Sequence, residues 1–315
     1  MNRLAIALSL IFSISYSEIN STQLAVADTA EQDLAEEHKI KPVRLAIVGG
    51  SIAAIYSTFY IAYLKEGWWA EARPMHFEPL ESDMNYAHNL DKFGHFYTGV
   101  IVGELFAMSY DWVGMSPFAS SLCAGITVSL TQILIEIKDG VSPYGYSVYD
   151  AAAGSLGGFY AMGKRFIPAM KYVDYKFTYW PNSPGYWDAH RGKNTDGYGG
   201  IWFDDYYGGN QTHWLSFKVG KMLPTQAKIY YPEWLAIAFG LGVANDYNPD
   251  TMDYRYEYYL SLDYDFEAIL RPQKTWSKNL VTILNHIKFP APAVRLYPNA
   301  TFFPLHPWYG FNVSF

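Results

Sequence analysis

Between Pro42 and Pro168 the apolar residues come in four long runs with helical spacing, and beyond Lys171 they fall at every second position. The first pattern buries a stripe of a helix and the second buries one face of a strand. The chain is therefore read as α+β: a hydrophobic four-helix bundle over 43–168, then an antiparallel β-rich domain over 169–315, with partial closure into a barrel as an open extension.

The first run, LAIVGGSIAAIYSTFYIAYL (45–64), carries no charge and is about a bilayer thickness long at the helical rise. The second extends from Asp91 to Trp112. After Gly114 and Pro117 punctuate the chain, the third stays uncharged until Glu136; the fourth is SVYDAAAGSLGGFYAMGKRF (147–166). Small residues recur as Gly99 with Gly103, Gly154 with Gly158, and Gly49, Gly50, Ala53 and Ala54, and such spacing predicts close helix crossings. Glu104 and Asp111 interrupt the second run, so a membrane bundle and a buried soluble one both remain open.

In the second half, Val173, Tyr175, Phe177 and Tyr179 alternate with Asp174, Lys176 and Thr178. DYRYEYYLSLDYDFE (253–267) sets Tyr256, Tyr258, Leu260, Leu262 and Tyr264 against Arg255, Glu257, Ser261, Asp263 and Asp265, which predicts a long half-exposed strand. EWLAIAFGLGV (233–243) pairs a bulky face with a face of Ala and Gly, and the C-terminal WYGFNVSF also alternates. Strands of this kind suit a membrane barrel wall or a sheet resting on a membrane.

Composition points the same way. Aromatic residues make up 18% of the 315 residues, with 28 Tyr and 10 Trp, as expected of a chain that meets a membrane interface. The net charge of −7, with no basic patch, argues against a nucleic-acid partner. MNRLAIALSLIFSISYSEINS has the basic start and short apolar core of a secretory signal, so residues 1–27 are expected to be a signal peptide and 28–42 a charged linker. Lys39, Lys41 and Arg44 before the first run, and Lys164, Arg165 and Lys171 after the fourth, would place both flanks in the cytoplasm; that conflicts with export, and the alternating second half favours export. The one cysteine, Cys123, has no partner for a disulfide.

Short connections between the second, third and fourth helices put the start of the second, the end of the third and the start of the fourth at one end of the bundle. Asp91, Lys92 and His95 then meet Glu136, Asp139 and Asp150. Glu136 and Asp139 lie at a helix C-terminus, where carboxylates are disfavoured, and are expected to seek a cation: Lys92, protonated His95 or a metal. Taken singly, the plainer roles lead: Asp91 as an N-cap, Ser147 with Asp150 as a capping box, His95 as a bundle hydrogen-bonder. Taken together, the six residues read as a buried ionic cluster that fixes helix register. The sharper alternatives are a metal site drawn from His95, Glu136 and Asp139, or a hydrolase with His95 as acid or base beside Asp91, Glu136, Asp139 or Asp150.

DKFGHF, a Glu-x-x-Asp closing a hydrophobic helix, and a Ser-x-x-Asp followed by Ala and Gly together resemble the YfiM-like family of predicted periplasmic lipoproteins, with a looser similarity to VanZ-like membrane proteins. The resemblance covers about 85–166. It implies envelope localisation and a small helical domain carrying Asp91, Lys92, His95, Glu136, Asp139 and Asp150 at motif positions, with no established activity. The chain departs from the pattern by lacking a lipobox cysteine and by adding the β-rich half.

The expectation is thus an exported protein of the periplasm or outer membrane of a Gram-negative bacterium, associated with a membrane or envelope component, with a protein partner also open. Its role is structural or interactive and no cofactor is expected; the alternative is a membrane-associated or metal-dependent hydrolase acting on lipid or cell-wall material. Weaker signals are Asp246, Asn248 and Asp250 in DYNPD, read as a solvated hairpin, and His213, read as lying at the sheet surface.

Overall fold

The computed structural model describes residues 38–61, 69, 71–180, 210–224, 226–245, 254–307 and 313–314. The expected signal peptide, most of the linker, the DYNPD turn and most of WYGFNVSF lie outside the described residues. The helical half consists of α1 (Pro42–Phe59), the short α2 (Leu80–Asn85), α3 (Leu90–Val113), α4 (Pro117–Gly140) and α5 (Val148–Phe166). Pro117 opens α4, behind Ser116 whose hydroxyl accepts the Ala119 amide; Gly114 closes α3 in a left-handed conformation at φ 102°, where a side chain would run into the Lys39 carbonyl.

α3 and α5 cross backbone to backbone. A Cβ at Gly99 would strike the Gly154 carbonyl and one at Gly157 the Phe96 carbonyl, while one at Gly103 would lie 3.1 Å from the Cα of Gly158. The expected close approach holds for these glycines. It fails for Gly49 and Gly50: α1 packs loosely on α3, nothing lies within 4 Å of either position, and Ala53 and Ala54 are exposed. The bundle is therefore three tightly crossed helices with α1 laid against them, pinned by Arg44, which donates to the Trp112 carbonyl at 2.8 Å.

The β-rich half is a sheet of seven strands in sequential antiparallel order: β1 (Val173–Tyr179), β2 (Gln211–Phe217), β3 (Leu235–Asn245), β4 (Tyr254–Tyr264), β5 (Ala291–Tyr297), β6 (Thr301–His306) and β7 (Val313–Ser314). Short helices α6 (Val219–Met222), α7 (Phe266–Leu270) and α8 (Thr275–Leu284) interrupt the meander. The sheet is not closed into a barrel, but it curls strongly. Trp214 of β2, Tyr259 of β4 and His306 of β6 meet on the concave side, with Trp214 to His306 ring centroids 5.2 Å apart and Tyr259 to His306 4.6 Å. The outer edge of β1 is capped by the segment entering β5: Phe177 donates to the His286 carbonyl and accepts from the Lys288 amide.

The two faces of this sheet reverse the usual arrangement. Asp174, Lys176, Trp214, Ser216, Ala236, Ala238, Glu257, Ser261 and Asp263 are all buried on the concave side. Gly240 leaves the space that the Trp214 ring fills. On the convex side Phe239 is 53% exposed, Leu262 42% and Leu296 54%. The half-exposed strand predicted over 253–267 thus exposes its apolar half. The convex side is covered toward β1 and β2, where Tyr175 and Phe177 meet Phe96 and Tyr97 of α3 at 4.9 Å, and at Val243 of β3, which is packed under Ala87 and Leu90. His213 lies in this seam, buried, with Nδ1 3.1 Å from the Tyr175 hydroxyl, so the expected surface position is corrected. The aromatic seam desolvates it and pushes its pKa down to about 3.

Candidate functional site

The end of the bundle that carries the cluster is shaped by an unusual turn. Ala87, His88 and Asn89, none of them glycine, all have positive φ (47°, 52° and 64°), and they swing the chain from α2 into α3. Such conformations cost roughly 1 kcal/mol or more each and persist where the surroundings enforce them. Here Ala87 and Leu90 are buried against Val243 of the sheet, and the His88 ring meets Tyr256 at 5.2 Å. The turn sets Asp83 of α2 directly over Lys92.

Lys92 is the hub. Its ammonium pairs with Asp83, with Asp91 Oδ2 at 2.9 Å and with Asp150 Oδ1 at 3.0 Å, so α2, α3 and α5 are tied through one cation. Burial opposes its charge, yet Asp91 and Asp150 hold its pKa above the ordinary lysine value. One turn along α3, His95 directs Nε2 at the other oxygens of the same two carboxylates, 3.6 Å from Asp91 Oδ1 and 4.0 Å from Asp150 Oδ2. Its Nδ1 faces Gln132 Oε1 of α4 at 3.2 Å, which makes Nδ1 the donor. Burial lowers the imidazole pKa, and Asp91, Asp150 and Glu136 outweigh it, for a net upward shift.

Glu136 and Asp139 arrive at the same end but not at the cation. Glu136 Oε2 accepts the Ser147 amide at 3.1 Å, and Asp139 Oδ1 accepts the Trp69 indole at 2.5 Å; neither forms an ion pair among the described residues. Burial pushes Glu136 up to about 8 and Asp139 up to about 7, so each meets its carboxylate problem through N–H donors and protonation. Asp150 rises to about 6, again chiefly through burial and then through Asp91.

The plainer roles divide. Ser147 caps α5, accepting the Asp150 amide at 3.0 Å, and its hydroxyl donates a hydrogen bond to Asp83 Oδ2 at 2.8 Å. Asp91 is no N-cap: it stands within the first turn of α3, behind Asn89, and its carboxylate serves Lys92. The residue that sequence reasoning missed is Asp83, fully buried at the centre. Its signal was faint, an acid in LESDMN three residues before a run that lacks glycine or proline.

A second set of buried charges lies inside the curled sheet. Asp174 is held by Lys164 of α5 and by Lys218 at 2.9 Å, Asp263 by Lys176 at 2.9 Å and Lys288 at 3.6 Å, and Asp265 by Lys221 at 2.8 Å. Lys164, Lys218 and Lys176 outweigh burial and hold Asp174 well below the ordinary carboxylate range; burial pushes Lys288 down to about 8. The Cys123 thiol is free and partly buried, and the motifs of nucleophilic hydrolases are missing from the chain. No family model matches the chain, and no curated protein or solved structure matches it either.

Proposed function

We propose that the protein is a membrane-seated structural component of the cell envelope, whose Lys92 cluster clamps the helical bundle rather than turning over a substrate. One observation carries this reading: the distribution of burial is inverted. Charged side chains are sealed inside both halves, while leucines, isoleucines and aromatic residues face outward from α4, α5 and the convex sheet, with Leu134 64% and Leu156 62% exposed. Water disfavours such a surface and a lipid layer accepts it. Trp234 stacks with Tyr264 at one end of β3 and β4, and Tyr256, Tyr258 and Tyr297 gather at the other, so aromatic rings flank the aliphatic band as they do at membrane interfaces. Among the described residues one helix, α4, is long and apolar enough to cross a membrane.

Export to a Gram-negative envelope is supported by the signal-like N-terminus and by the resemblance to the YfiM-like family. Lys92 supports the clamp reading, because its one ammonium joins carboxylates carried by α2, α3 and α5. Flotation of the full chain with phosphatidylethanolamine and phosphatidylglycerol vesicles tests the seat. The wild type should float and resist high salt, and Leu260→Asp with Leu262→Asp should release it. A chain that stays soluble and monodisperse without detergent overturns the proposal.

A further inference from the structure

His95 poses a problem that the clamp leaves unsolved. With Nδ1 donating to Gln132, the Nε2 atom faces Asp91 Oδ1 and Asp150 Oδ2, both acceptors, at 3.6 and 4.0 Å. These separations exceed hydrogen-bonding reach whether or not Nε2 carries a proton. They do match two ligands of one ion: donors each about 2.1 Å from zinc stand roughly 3.4 Å apart at a tetrahedral angle and farther apart as the angle opens. One donor atom from each of Asp91, His95 and Asp150 lies within 4.8 Å of the other two.

We infer that Asp91, His95 and Asp150 form a three-donor site for a divalent transition metal such as zinc, with Lys92 and Gln132 as its supporting shell. Each carboxylate is divided between two cations, one oxygen turned to the Lys92 ammonium and the other to the metal position. Gln132 fixes the tautomer that presents the Nε2 lone pair, the usual task of a partner behind a ligating histidine. Gln132 is itself wedged against Gly154, where a Cβ would overlap its amide. Charge also closes: Asp83, Asp91 and Asp150 carry three negative charges, and one ammonium with one divalent ion neutralises them. The set differs from the His95, Glu136 and Asp139 grouping raised as an alternative from the sequence, since Glu136 and Asp139 are engaged by Ser147 and Trp69. The inference deepens the clamp reading of this end of the bundle and does not depend on the membrane seat.

The test uses the detergent-purified full chain, stripped with chelator and titrated with Zn2+, with Co2+ as a visible-absorbing substitute and Mg2+ as a control. One equivalent of zinc should bind, Co2+ should develop the absorption of a nitrogen–oxygen site, and Mg2+ should bind at least 100-fold more weakly. His95→Ala and Asp150→Asn should each lower zinc affinity by 100-fold or more, and Gln132→Ala by about 10-fold. Circular dichroism checks folding; should Asp150→Asn unfold, His95→Gln, which keeps the size of the side chain and Asp150 intact, carries the same expected loss. Absence of stoichiometric zinc binding, or binding unchanged in a folded His95 variant, overturns the site. Vesicle flotation of the stripped and loaded protein should be equal, so failure here is distinguishable from failure of the membrane reading.

Discussion

The bundle and the sheet both bury charge, and they compensate it in opposite ways. Inside the sheet lysines match or outnumber aspartates: Asp174 meets Lys164 and Lys218, and Asp263 meets Lys176 and Lys288. In the bundle Asp83, Asp91 and Asp150 share Lys92, and among the described residues the nearby Glu136 and Asp139 meet N–H donors rather than a cation. Titration follows the count of partners. Asp174 is driven down and Lys288 is lowered to about 8, whereas Glu136 is raised to about 8 and Asp139 to about 7. Asp174 is thus fixed as an anion in the sheet, whereas Glu136 and Asp139 in the bundle are left open to a proton or a cation.

The largest effect should come from Asp174→Asn, which leaves Lys164 and Lys218 as buried ammonium groups. Denaturation in detergent should show a loss of about 3–5 kcal/mol, which acid does not restore because lysine stays charged. A loss below roughly 1 kcal/mol would break the matched-pair account of the sheet. Lys92→Met should cost a similar amount, about 3–5 kcal/mol at pH 8, but less at pH 5, where Asp150, raised to about 6, takes up a proton. If the deficit is the same at both pH values, the two halves do not differ in the way described.

The wild-type pH dependence sharpens the same contrast. A carboxyl whose folded pKa is raised contributes stability that is complete below its unfolded value and is lost as pH rises through the folded one. For Glu136 that interval runs from the ordinary value of 4.5 to about 8, and for Asp139 from 3.8 to about 7. His213 and His306, both lowered to about 3 from 6.5 by burial, act in the opposite sense, but only below about 6.5. Between pH 7 and about 8 the melting temperature should therefore fall; above that, Lys288, lowered by burial from 10.5 to about 8, acts in the opposite sense. Glu136→Gln should flatten the fall, by at most about 1.4 kcal/mol per pH unit. A wild-type melting temperature that climbs over that interval contradicts the assignment.

The smallest effects concern the crossing that brings the cluster together. Gly99→Ala should cost about 1–3 kcal/mol, since its methyl meets the Gly154 carbonyl and separates α3 from α5. Gly49→Ala faces open space and should be neutral or stabilising by up to about 1 kcal/mol. Equal outcomes at the two positions would show that the α3–α5 contact is looser than drawn.

Much of the bundle was legible because helical spacing and short connections leave little choice. Asp91 and His95 share a face, and the ends of α3, α4 and α5 must coincide, so five carboxylates and histidines could be gathered around Lys92 from the sequence. Which of them touch was not legible, because it depends on rotamers and on the left-handed turn at Ala87–Asn89, a segment without glycine. Asp83 was missed for that reason. In the sheet, alternation identified β1, β3 and β4 and sorted the two faces of β4, while β5 and β6 went unread and the curl that seals Asp263 against Lys176 and Lys288 has no local signature. The misplacement of His213 has the same origin: its neighbours Phe93 and Tyr175 are distant in sequence.

The bridge between Phe177 and the His286–Lys288 segment also bears on biosynthesis. The outer edge of β1 is a row of open amides and carbonyls until the chain has been made, and moved, more than a hundred residues further. An exposed edge invites pairing with other chains. A chain interrupted or cut before Lys288 should therefore aggregate through β1, so a short stretch in the last tenth of this polypeptide acts for the earliest strand as a built-in guard during synthesis.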